Sequence, residues 1–243
     1  MSGELVRREE VAEVVGRLSD GHLDRGERGR LLARLTSLLA GGVRAAGARA
    51  AVTGTWLTGV VTEIAPHVAV RDLATLRQHY GGRTGDELAE ELVRTASLAT
   101  AGVGAAGGAL AALQHAAPPS LLAAPVQLAA ETVAVVAIEL KLVAELHVVY
   151  GRAPLAPAGQ VAAAYLSSWA EKRGIDGPEG MPGLGVVLGA AARAQLRRRG
   201  VRRMGRNMST LAPFLAGAAA GAELNRRETR SLGQALKGEL RPR

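Results

Sequence analysis

Cysteine is missing from the 243 residues, which excludes disulfides, thiolate metal sites, cysteine nucleophiles and cysteine-ligated iron–sulfur clusters. Aromatic residues are nearly as scarce, at 2% of the chain, so little is available to stack on bases or sugars. Sustained period-two alternation bounded by turn residues is also missing, and no segment reads as a strand. What is abundant is small and apolar. Hydrophobic residues make up 48% and glycine supplies 31 positions, so a core has to be built from Ala, Leu and Val. Charged residues at 21% argue against wholesale disorder, and the length suits one generous domain or two small ones.

The pattern predicts an all-α chain, a multi-helix bundle around a central apolar, Gly/Ala-rich hairpin. Leu5, Val11, Val14, Val15 and Leu18 recur at helical spacing before a break at Ser19-Asp20-Gly21. Asp24 with Glu27 opens a second helix, expected to stop near Gly41-Gly42. An apolar stretch from Ala50 to Ala65 contains Trp56 and ends at Pro66. A short helix over Arg71 to Tyr80 closes at Gly81-Gly82. Thr84-Gly-Asp-Glu87 is a capping box that launches a long segment to about Ala117. Pro118-Pro119 turns the chain, and Ser120 to Tyr150 reads as a second long helix ended by Gly151. Further helices are expected over about Ala158 to Lys172, over Leu184 to about Met208, and from a cap at Ser209 or Thr210 to Lys237 with a break near Asn225. Two regions are expected, an N-terminal helical one over 1–83 and a helical core over 84–243 with a basic C-terminal part.

Charge is distributed unevenly. Residues 1–94 hold 13 basic and 13 acidic side chains, residues 95–192 hold 4 and 6, and residues 193–243 hold 13 and 3. The net +8 therefore belongs to the C-terminal fifth. Its sharpest feature is seven arginines in fourteen residues: Arg193, Arg197, Arg198, Arg199, Arg202, Arg203 and Arg206. Anionic lipid headgroups attract such clusters, nucleic-acid phosphates do so as well, and an acid-paired or solvated helix face is the third reading. With few aromatics, no recognisable nucleic-acid motif and an apolar run just before it, the cluster ranks a membrane surface or an acidic partner above nucleic acid.

Between Thr95 and Ile138 the only Asp, Glu, Lys or Arg is Glu131. Two segments of roughly 20 residues have the length of a transmembrane hairpin, but the first is mainly Ala and Gly and the second carries that glutamate. An apolar helix pair inside a larger bundle is the first expectation, and an integral hairpin the second. Three G-x-x-x-G units, Gly104/Gly108, Gly185/Gly189 and Gly217/Gly221, place paired glycines on single helix faces and predict close helix packing.

Catalytic and cofactor patterns are weak. Gly102-Val-Gly-Ala-Ala-Gly107 spells G-x-G-x-x-G, but a dinucleotide site needs a strand before it, and the residues before it are helical. No cofactor is therefore expected. The five histidines show no zinc spacing, and the acids around Asp20 to Glu27 do not sit at calcium-loop positions. Glu131, Glu139 and Glu145 fall on one side of a helical wheel. They suit either acid–base chemistry or, as the favoured reading, a polar stripe with Lys141 and Glu145 as an i,i+4 pair. No catalytic residue is assigned, and the N-terminus, lacking the apolar core of a signal peptide, predicts synthesis into the cytoplasm.

The stretch from about Gly85 to Leu236 resembles the EcsC-like family, most closely its actinobacterial members. The segments ATAGVGAAGGALAAL (99–113), PVQLAAETVAVVAIELKLVAELHVVYG (125–151) and PFLAGAAAGAELN (213–225) carry the resemblance. Ala123-Ala124-Pro125 departs from the Asp-Leu-Pro that often enters the second long helix in that family. The resemblance implies an all-α, membrane-proximal accessory role with no established enzymatic activity, and it supplies no substrate. With the arginine cluster it leads to the expectation of a chain peripheral to the inner face of the cell membrane, the alternative being a soluble helical regulatory or nucleic-acid-binding module.

Overall fold

The computed structural model describes residues 2–53, 55–115, 123–173 and 212–242. Among these the chain is all-α, and no residue is in a strand. The helices are α1 (Ser2–Leu18), α2 (Arg25–Thr53), α3 (Thr55–Ile64), a 3-10 turn (Ala65–His67), α4 (Leu73–His79), α5 (Gly85–His115), α6 (Ala123–Val149), α7 (Ala158–Lys172) and α8 (Ala212–Leu240).

Local chemistry sets most of these boundaries. Asp24 Oδ1 accepts from the Glu27 backbone N–H at 2.8 Å at the start of α2, and Asp72 Oδ1 does the same for Thr75 at 2.7 Å at the start of α4, each satisfying a donor the helix cannot. Gly81 and Gly82 follow α4 with φ of 65° and 80°, a left-handed conformation that favours glycine. Two expected interruptions are absent. Helix α2 runs through Gly41-Gly42 to Thr53, because Gly42 makes room for a ring rather than ending the helix. A Cβ there would lie 2.7 Å from Trp56 Cζ2. Helix α8 continues unbroken through Asn225, whose side chain donates to the Thr100 carbonyl of α5 at 3.1 Å and so is used between helices.

Helix α6 is the axis of the bundle. From Val126 to Leu146 nearly every side chain is buried, on all faces, as expected of a helix apolar all round. Helices α5 and α2 make its largest contacts, and α8, α7, α1 and α3 complete its cover. One contiguous apolar cluster extends from Val11 on α1 to Leu240 on α8, without interruption between residues 83 and 84. Arg28, only 3% exposed, fastens the end of α1 by donating to the Leu18 and Asp20 carbonyls, both at 3.2 Å. Burial lowers its pKa, with the Asp20 charge opposing. Among the described residues no helix is long and apolar enough to cross a membrane.

The longest interface is the antiparallel seam of α5 and α8. Asp86 meets Arg241, Glu90 meets Lys237, Thr100 meets Thr229 and Gly104 meets Gly221. From Asp86 to Gly108 this seam extends about 33 Å at 1.5 Å per residue. The small residues sit where backbones touch: a Cβ on Gly104 would lie 2.7 Å from the Gly221 carbonyl carbon, and one on Gly108 would lie 2.5 Å from the Ala218 Cα.

Candidate functional site

A helix enclosed by apolar neighbours has no place for a bare charge, since an isolated carboxylate buried without partners is prohibitively costly. Helix α6 nevertheless buries three: Glu131, Glu139 and Glu145 are 4%, 1% and 2% exposed. They do not form the solvated edge of the helix. Glu139 and Glu145 are each held by a guanidinium from another segment.

Glu145 receives the fork of Arg71, from the segment just ahead of α4. The Nε donates to Oε1 and Nη2 to Oε2, both at 2.8 Å. Two parallel charge-assisted bonds make this the strong, directional form of the pair. Lys141 Nζ adds a contact at 3.2 Å to Oε1 and also donates to the Ala69 carbonyl, so the expected i,i+4 pair is present. The Arg71 guanidinium lies over the Tyr80 ring, 5.5 Å from its centroid. Burial would lower the Arg71 pKa, but the bonds to Glu145 outweigh it and raise the value, keeping the charge fixed.

Glu139 is the meeting point of four helices. Trp169 Nε1 of α7 donates to Oε2 at 2.8 Å. Arg173, directly after α7, donates from Nε to Oε2 at 3.2 Å and from Nη2 to Oε1. The Thr229 hydroxyl of α8 donates to Oε1 at 2.7 Å. Thr100 Oγ1 of α5 lies 2.9 Å from Thr229 Oγ1, and the Ser97 and Asn225 carbonyls, at 3.1 and 3.3 Å, are also acceptors within reach of its single proton. Helix α5 thus reaches Glu139 through the Thr100–Thr229 contact. Arg173 also pairs with Glu228 of α8 at 3.0 Å.

Glu131 accepts from Gln127 Nε2 at 2.8 Å, and that amide also donates to the Gly107 carbonyl of α5. A Cβ on Gly107 would overlap the Glu131 carboxylate. The three glycines of the G-x-G-x-x-G stretch thus have three separate neighbours: Gly102 faces Arg28, Gly104 faces Gly221 and Gly107 faces Glu131.

A catalytic carboxylate needs a lone pair open toward a space that holds substrate. Each oxygen of Glu139 already accepts two bonds. Glu145 faces a cavity of about 20 Å³, room for about one water, where small-molecule sites enclose roughly 300–1,000 Å³. The arrangement acts as a set of clamps, in which one buried acid ties α4 to α6 and another ties α5, α7 and α8 to α6.

The arginines Arg193 to Arg206, with Gly185 and Gly189, lie outside the described residues. Gly217 falls within α8, while Gly104, Gly108 and Gly221 meet in the α5–α8 seam. The basic residues of α8 and its end are drawn to acids: Arg226 and Arg227 pair with Glu223, Arg230 and Lys237 with Glu90, and Arg241 with Asp86. The remaining acids of α8 are engaged too, Glu228 by Arg173 and Glu239 by Lys172. Arg71, Tyr80, Trp169, Arg173 and Thr229 were not legible as site residues, because Glu145 and Glu139 find their arginines 74 and 34 positions away in the chain. The available signal was the presence of acids in an otherwise apolar helix, each of which demands a hydrogen-bonding or cationic partner.

No known protein family, curated protein or solved structure matches this chain.

Proposed function

We propose that the chain is a non-enzymatic helical accessory protein that attaches peripherally, through the arginines between Arg193 and Arg206, to an anionic membrane surface. The observation that carries this reading is the distribution of charge. All three acids of α8 already face cations, and Arg226, Arg227, Arg230, Lys237 and Arg241 already face acids. The stretch 193–206 contains seven arginines and no acid of its own. The excess positive charge of the C-terminal fifth therefore concentrates in fourteen residues. The clamped state of Glu139 and Glu145 supports the non-enzymatic part.

Basic residues near an anionic leaflet contribute about 1 kcal/mol each. Replacing Arg197, Arg198, Arg199, Arg202 and Arg203 together with Gln should weaken binding to phosphatidylglycerol vesicles by roughly several thousandfold. Flotation of the full chain at low and high salt reads this directly. Wild-type binding that salt releases and the five-fold variant lacks is the expected result. Vesicle binding unchanged in the variant would overturn the reading. So would duplex nucleic-acid binding that falls steeply with salt while vesicles are ignored.

A further inference from the structure

The cavity beside Glu145 has an unbalanced charge and an idle donor. Two cations, Arg71 and Lys141, and one carboxylate, Glu145, line it, a surplus of one positive charge. Lys141 and Glu145 have side chains 12% and 3% exposed, and Arg71 20%, so these charged groups are mostly covered beside a pocket that opens partly to solvent. Both Glu145 oxygens are already turned to Arg71 and Lys141, so the carboxylate faces its cations. Tyr80, 6% exposed, also lines the cavity; the Arg71 guanidinium lies against it, but its buried O–H donates to no acceptor. A buried O–H left unmade is costly and marks a place where a partner belongs. Ile138 and Leu142 form part of the remaining wall, a low-dielectric surface that strengthens any charge interaction inside.

We propose that this cavity is a binding site for a single halide-sized monovalent anion, held by the Lys141 ammonium, the Arg71 guanidinium and the Tyr80 hydroxyl. Size limits the ligand. About 20 Å³ accommodates one water-sized particle, which favours a monatomic anion over phosphate, sulfate and organic acids. A water would satisfy Tyr80 but leave the surplus charge in place, whereas a halide answers both. The cavity is walled by Gly21 after α1, Tyr80 after α4, Thr95 on α5 and Lys141 on α6. Occupancy therefore ties the N-terminal helices to the α5–α6 pair, a role separate from that of the arginines at 193–206.

The test uses the full chain carrying the five Arg→Gln substitutions, so that halide binding at the basic stretch does not contribute. Thermal unfolding in sodium bromide is compared with sodium gluconate at equal, low ionic strength. Ligand linkage predicts a rise in Tm of about 2–4 °C once bromide exceeds its Kd about fivefold, growing logarithmically with bromide beyond that. Tyr80→Phe should weaken the bromide response by roughly tenfold or more, and Lys141→Met should abolish it. Bromide-grown crystals of the unsubstituted chain should show an anomalous peak between Tyr80 and Lys141, a result that depends on no variant folding. Equal Tm values in bromide and gluconate, or a cavity holding only a water without anomalous signal, would overturn the proposal.

Discussion

A glycine matters here according to what its missing Cβ would meet. Gly104 and Gly221 face each other across the α5–α8 seam, yet they are not equivalent. A Cβ on Gly104 would press into the Gly221 peptide at 2.7 Å, whereas one on Gly221 would come no closer than 3.5 Å to the Gly104 oxygen. Backbone cannot swing aside as a side-chain tip can, so Gly104→Ala should force the two helices apart at a cost of about 1–3 kcal/mol. Gly221→Ala makes only ordinary contact and gains the helix propensity of alanine, so its stability should stay level or rise by up to about 1 kcal/mol. Urea titration of both variants measures the difference, and equal losses would mean that the contact is not the asymmetric one described. The spacing of these glycines was legible in the sequence as a packing face, but which of the pair was indispensable was not. Period reports which residues share a face, while the depth of an approach depends on the rotation and crossing of two helices. The same limit explains Gly42: a Gly-Gly pair reads as a stop, and only the Trp56 ring beside it reveals a notch.

Single helices were largely legible, because their signals are local. Helix α7 begins at Ala158 and ends at Lys172, the bounds expected from Pro157 before it and the loop glycine after it. Helix α8 was harder, since Asn225 is a breaker by propensity and is retained by a bond to Thr100 that no local rule reveals. What joins elements together was less legible still. At one end of the α5–α8 seam, Arg241 and Tyr150 hydrogen-bond Asp86, and Lys237 and Gln234 hydrogen-bond Glu90. These bonds hold the carboxyls below their ordinary values of 3.8 and 4.5. In return, burial and Asp86 push Tyr150 up to about 12. Carboxyl pKa values depressed in the folded state contribute stability that is present above the unfolded values and lost as pH falls through the folded ones. The last turns of α8 should therefore keep their hydrogen-exchange protection from pH 7 to about 5 and lose it progressively below about pH 4. The double variant Asp86→Asn, Glu90→Gln should have weaker protection at pH 7 and little further change on acidification. A pH response retained in that variant would place the sensitive groups elsewhere.

At the scale of the molecule, the unit is set by α6, which neither half of the chain can bury alone. Helices α1, α2 and α3 cover one part of it and α5, α7 and α8 the rest, while Arg71 from the N-terminal part and Arg173 from the C-terminal part neutralise Glu145 and Glu139. Two regions were expected, over 1–83 and 84–243, and one buried apolar cluster draws residues from both. Such a core predicts one cooperative transition. The two tryptophans are suited to test it, since Trp56 lies on α3 and Trp169 on α7. In Trp56→Phe the fluorescence comes from Trp169 alone, and in Trp169→Phe from Trp56 alone. The second variant loses the bond to Glu139 and should unfold at lower denaturant, so each is compared with its own far-UV circular dichroism. Within each variant the fluorescence and dichroism curves should coincide in midpoint and slope. A Trp56 transition that precedes the helical one would show α1 to α4 melting as a separate unit, and the Arg71–Glu145 clamp would then be too weak to join them.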